Sequence, residues 1–284
     1  MVVIKITGGL GNQMFQYLFG QHLSSKYNAE VRYDISSFED QSDFLDERKC
    51  ELLYFTFNLP IVNNSAFTDF KNRSSREKIF HFLRNFILNP TSTFLPISES
   101  FTEVSKLIPT VISNRYYAGY WQTDKFFLAA QKQQSEVFVL SDQHKNLQVN
   151  QHHLKNIQHA NSVSLQVRRG DFLGANEWVC DLNYYQRAIS YIKQHVSNPE
   201  FFIFSDDIAW CKKEFKFDAI MTFIEPNTEL PFEDMQLMSS CKHNIIVNST
   251  YGWWGAVLNQ NKAKILISPK KWANTLNTGN FIKI

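Results

Sequence analysis

The stretch VSLQVRRGDFLG (163–174) alternates apolar and polar residues and then ends on Arg168, Arg169, Gly170 and Asp171. A strand that finishes on two guanidinium groups and a carboxylate presents chemistry rather than packing. The planar fork of an arginine grips a phosphate bidentately, and a carboxylate accepts a proton. Three more polar clusters follow other strand-like stretches. FIFSDD places the paired carboxylates Asp206 and Asp207 where they suit ribose hydroxyls or a guanine edge. NSTYGWWG sets Ser249, Thr250 and Tyr251 at a helix start, where free amides and the helix dipole favour an anion. GGLGNQ forms a glycine turn that carries Gly11 and Asn12. Plainer readings stand beside these: Asp206, Ser249 and Thr250 also suit helix caps. Trp253 and Trp254 suit the core, Arg168 a surface ion pair, and Arg169 with Asp171 an internal salt bridge.

The elements that must hold these clusters show a clear rhythm in the second half. SVSLQV (162–167), EFFIFS (200–205), AIMTFIE (219–225), NIIVNS (244–249) and KILIS (264–268) read as buried strands. Segments of helical spacing separate them at 183–196, 206–215, 232–240 and 251–260. That alternation predicts a parallel sheet with helices on both faces, and such sheets bind ligands beyond the carboxyl ends of their strands. All four clusters fall at such ends, and together they describe a site for a nucleotide diphosphate. The N-terminus reads as one βαβ unit: a strand at 2–7, a helix at 13–27 and a strand at 29–35. Residues 38–115 are irregular and rich in Phe, the place for variable specificity. A strand at 115–122 and a helix at 124–134 follow, and the polar segment 140–162 places a domain boundary near residue 155.

Composition narrows the function. The 284 residues suit two domains of about 140 each. Hydrophobic residues make up 44% and charged ones 20%, so the chain is globular. A net charge of +2, with no basic block, argues against nucleic acid as a partner. Cys50, Cys180, Cys211 and Cys241 lie far apart and read as free thiols. With no long apolar run and no signal-peptide pattern, the expected location is the cytoplasm.

The motifs GGLGNQMFQY, VRRGD, FIFSDD and DMQLMSSCKHNIIVNSTYGWWGAVL together resemble the bacterial α-1,2-fucosyltransferases of glycosyltransferase family 11, over essentially the whole chain. The resemblance implies an α/β protein with two Rossmann-like domains facing across a cleft, the GT-B arrangement. Residues 1–155 would then form the acceptor-side domain and 156–284 the GDP-fucose-binding domain. It further implies an inverting transfer of L-fucose from GDP-fucose to the 2-hydroxyl of a terminal galactose, in surface polysaccharide synthesis. GDP-fucose is the substrate, and neither cofactor nor metal is required. The His-x-Arg-Arg-x-Asp motif of related enzymes falls on Gln166 to Asp171, with Gln166 in the place of the histidine. Arg169 would hold the β-phosphate, Asn12 beside Gly11 would approach the phosphate or fucose, and Ser249, Thr250 and Tyr251 would line the diphosphate pocket. Arg168, Asp206, Asp207 and Asp234 complete the implied donor set.

In that reaction a preplaced cation stabilises the departing diphosphate, and Arg169 with the helix start at Thr250 does what a metal does elsewhere. The acceptor hydroxyl needs a base, Asp171 first and Glu177 second. A rival reading is an NAD-dependent oxidoreductase or epimerase of nucleotide sugars, drawn from Gly9-x-Gly11 and a ribose-binding Asp34. The expected third glycine of that fingerprint is Met14, which weakens it. A third is a nucleotide- or sugar-binding module without catalysis. The basic, Phe-rich segment 71–88 suits either a packed helix or peripheral contact with an anionic inner membrane near a lipid-linked acceptor.

Overall fold

The structure is a computed structural model and describes residues 1–40, 48–63, 67–68, 95–98, 114–123, 137–139, 148–170, 179–271, 276 and 280–284. The expected helix at 124–134 and the segment 71–88 lie outside these residues. The chain divides into two compact units, Met1–Ser141 and Asp142–Ile284.

In the first unit, β1 (Val2–Lys5), α1 (Leu10–Tyr27), β2 (Val31–Asp34), a one-turn helix α2 (Ser37–Asp40), β3 (Leu95–Ser98) and β4 (Arg115–Ala118) follow in order. All strand pairings are parallel, in the order β2-β1-β4-β3. The helix α1 starts at Leu10, earlier than the Gln13 read from periodicity, so Gly11 and Asn12 belong to its first turn. It ends at Asn28, whose left-handed backbone (φ 49°) closes the C-terminus. Met14, Phe15, Leu18, Phe19 and Leu23 of α1 are buried.

The second unit opens with α3 (Gln148–His159) and β5 (Asn161–Val167). Then come α4 (Leu182–His195), β6 (Pro199–Ser205), α5 (Ile208–Glu214), β7 (Ile220–Ile224) and α6 (Pro231–Ser240). The unit closes with β8 (His243–Ile245), α7 (Thr250–Val257), β9 (Leu266–Ser268) and β10 (Ile282–Lys283). The polar segment read as holding the domain boundary therefore contains α3. Its Ile157 is buried with Phe202, Leu237 and Met238, which ties the helix to this unit and places the division ahead of residue 155. A helix of polar mean character needs only one narrow apolar stripe to dock.

The six strands are parallel in the order β10-β9-β8-β5-β6-β7. From β5 the chain first moves towards β7, then returns to the other side of β5 at β8. Crossovers in a parallel sheet keep one hand, so the two directions put their helices on opposite faces. Accordingly Val163, Leu165 and Val167 pack with residues of α4 and α5, while Phe202 and Phe204 pack with α3 and α6. The alternate residues Ser162, Ser164 and Gln166 of β5 are buried as well. Charge can therefore gather only where β5 ends.

Candidate functional site

The order reverses between β5 and β8, and at such a switch point the flanking strands open a crevice at their carboxyl ends. Arg168, Arg169 and Gly170 leave β5 at that point, and Asn248 to Tyr251 lead from β8 into α7. Sheet order alone thus brings two of the predicted clusters together.

The aspartates of the neighbouring strand β6 hold the arginines. Asp206 accepts the backbone N–H of Arg169 at 2.9 Å and pairs with Nη1 of Arg168 at 3.0 Å. Asp207 accepts from Nε of Arg169 at 3.2 Å. The same carboxylate caps α5 by accepting the N–H of Trp210 at 3.1 Å. A Cβ on Gly170 would stand 2.7 Å from Oδ2 of Asp206, so glycine lets the carboxylate close on this turn. The guanidinium carbon of Arg169 lies 3.8 Å from the centre of the Trp210 ring. Arg169 is largely buried, and its two terminal nitrogens have no hydrogen-bond partner among the described residues. Arg168 pairs with Asp206, whereas the two terminal nitrogens of Arg169 are left able to donate to an anion.

Across the crevice, Ser249 is the N-cap residue of α7 but makes no side-chain capping bond. Asp181 and Asp207 do cap α4 and α5. Helix starts favour anions, and the side chain of Ser249 does not offset that preference at α7. Gln166, buried at the end of β5, lies against the first turn of α7 and reaches the Val247 N–H at 3.5 Å. A Cβ on Gly252 would sit 1.8 Å from Oε1 of Gln166, a contact only glycine permits. Tyr251 donates its hydroxyl proton to the Pro231 carbonyl, which ties the start of α7 to that of α6.

The whole chain, from residue 1 to residue 281, matches glycosyl transferase family 11. The protein belongs to that family. It is 32% identical to the α-1,2-colitosyltransferase of Escherichia coli, over 96% of this chain and 92% of that one. It is 30% identical to the O-antigen biosynthesis glycosyltransferase WbnK of E. coli, over 94% and 93% of the two chains. Among solved structures it resembles the NodZ α-1,6-fucosyltransferase from Bradyrhizobium soaked with GDP-fucose, with a TM-score of 0.52 and 10% identity. That likeness covers 89% of this chain and 90% of the other. It is a likeness of fold.

Other residues expected to serve this family 11 chain have different surroundings. Asp234, buried in the first turn of α6, accepts the Asn227 N–H at 2.9 Å, and Glu233 beside it accepts from the Asn227 side chain at 2.8 Å. The pair pins the loop before α6, and burial pushes the Asp234 carboxyl up to about 6. Asp34 also has structural duties: it accepts from the Ser36 hydroxyl at 2.6 Å and the Tyr116 hydroxyl at 2.9 Å. Those bonds engage both carboxylate oxygens, so Asp34 already serves the structure of the first unit. Asp171 and Glu177 lie outside the described residues.

In the first unit the order reverses between β1 and β4, and the glycine turn sits at that switch. Oδ1 of Asn12 accepts from Gln122 at 2.8 Å, and buried Gly11 lies beneath it in α1. Gln13 is fully buried, donating to the Gly8 and Lys49 carbonyls and accepting the Glu51 N–H. One oxygen of Glu51 is buried without a hydrogen-bond partner, and burial lifts its carboxyl to about 7 against the pull of Arg48 and Lys49. Trp210, Gln122 and Glu51 do not stand out in the sequence. Each is an ordinary residue type whose partner is distant along the chain.

Among the described residues no group of three or more His, Cys, Asp or Glu side chains converges as a metal site, and no helix is long and apolar enough to cross a membrane. All four cysteines are free.

Proposed function

We propose that this family 11 protein transfers L-fucose from GDP-fucose to the 2-hydroxyl of a terminal galactose, with inversion, in the assembly of a bacterial surface polysaccharide. The observation that carries the reading is Arg169: oriented by an ion pair, with its terminal nitrogens unpaired among the described residues, at the end of the strand next to the one that leads into α7 at the switch point. An anion at that place gains a bidentate charge-assisted contact and the helix amides together. The leaving GDP gains negative charge as the glycosidic bond breaks, so the fixed guanidinium stabilises the transition state more than the ground state. The identity to an α-1,2-colitosyltransferase favours colitose as a second donor sugar for the same phosphate site.

The test is a transfer assay with GDP-fucose and GDP-colitose against lactose, N-acetyllactosamine and Galβ1,3-linked acceptors. Transfer of one of the two sugars to galactose O2 supports the reading and settles the donor. Hydrolysis or transfer of neither, with NAD rather than GDP raising the unfolding temperature, would overturn it.

A further inference from the structure

We propose that Trp210 is a positioning residue for the nucleotide: its indole face sets the plane of the Arg169 guanidinium and so aims the fork at the diphosphate. The inference rests on the reading of Arg169 as the phosphate ligand. An arginine held only through Nε keeps one freedom, rotation of the guanidinium plane about the line to its partner carboxylate. The contact between Asp207 and Nε leaves that rotation open. Trp210 closes it, because a guanidinium carbon lying over the indole, 3.8 Å from the ring centre, is held there by cation–π attraction, which resists that rotation.

The indole is itself indexed to the arginine. Asp207 binds Nε with one oxygen and the Trp210 N–H with the other, so a single carboxylate fixes the guanidinium and the helix turn that carries its shelf. Asp207 is set in turn, since its own N–H donates to the Ser205 hydroxyl at 2.9 Å. The Phe215 ring stands 5.8 Å from the indole, edge to face, and joins it to the core. These contacts leave the two terminal nitrogens without a hydrogen-bond partner among the described residues, on a guanidinium already held at Nε and over its face. An arginine preset in this way loses less freedom when it binds, which raises affinity without adding a contact to the ligand.

The experiment is calorimetric titration of GDP into the wild type, Trp210→Phe, Trp210→Leu, Arg169→Ala and the double variant Trp210→Leu/Arg169→Ala. Circular dichroism confirms that each is folded. Leucine keeps apolar bulk against Phe215 but offers no π face, whereas phenylalanine restores one. The expected result is GDP binding weakened about fivefold to twentyfold in Trp210→Leu and within about threefold of wild type in Trp210→Phe. In the Arg169→Ala background, Trp210→Leu should cause no further loss. Wild-type affinity in Trp210→Leu, or an equal loss in both backgrounds, overturns the inference and leaves the phosphate role of Arg169 standing. A wild-type protein that does not bind GDP overturns that role itself.

Discussion

Arg169 concentrates the chemistry because its charge is arranged rather than merely present: Asp207 and Trp210 orient it, and its outer nitrogens stay unspent. Arg169→Ala should therefore weaken GDP binding and raise the transfer barrier by about 2 to 4 kcal/mol. Arg169→Lys should recover little, since one ammonium reproduces neither the fork nor the stacking. Calorimetry beside initial rates checks both, and unchanged GDP affinity in Arg169→Ala would refute the phosphate contact. Glu51 supplies a prediction of the opposite sense, about stability. Its folded carboxyl holds a proton up to about pH 7, whereas the unfolded one releases it near the ordinary carboxylate value. Between those values the folded state binds more protons, so its stability falls as pH rises and the cost is complete above about 7. Glu51→Gln should be more stable than wild type at pH 8 by on the order of 2 to 3 kcal/mol, with the difference gone by about pH 4. Urea unfolding at the two pH values measures it; parallel curves would show that Glu51 titrates normally.

At the scale of elements, the start of α7 and the end of β5 are fitted through Gln166 and Gly252. Gly252→Ala should collide with the amide and cost about 1 to 3 kcal/mol of stability, with weaker GDP binding. Adding Gln166→Ala should restore the stability by clearing the space. Thermal melts of the three variants decide, and a silent Gly252→Ala would disprove the fit. Deeper in the same unit, Asn244 donates to the Ser164 hydroxyl and the Met238 carbonyl, each at 2.8 Å, and accepts from Asn259 at 2.7 Å. Asn244→Leu strands those partners away from water and should cost about 2 to 4 kcal/mol. The sequence displayed the strands well, because Val, Ile and Phe runs broken by polar helices have few other solutions. It displayed the charged strand ends too, since Arg168 to Gly170 and Asp206 to Asp207 are anomalous after apolar runs. It hid α3, whose burial rests on one stripe around Leu154 and Ile157, and it hid Trp210, because an aromatic early in a helix looks like core. The pairing of the two arginines with the two aspartates follows from the adjacency of β5 and β6, which no local pattern encodes.

At the scale of the molecule, each unit holds its glycine turn or arginine pair at its own switch point, and the proposed nucleotide site is that of the second unit. If, as proposed, Arg169 and the start of α7 supply the charge stabilisation, transfer should persist in EDTA; activity that collapses and returns with Mg²⁺ or Mn²⁺ would contradict that. The location of the nucleotide is tested most directly by hydrogen exchange of the wild-type protein with and without saturating GDP. Binding at the switch point of the second unit would slow exchange in peptides spanning 166–170 and 248–253. Protection confined to the glycine turn at 8–13, or none in either segment, would contradict it.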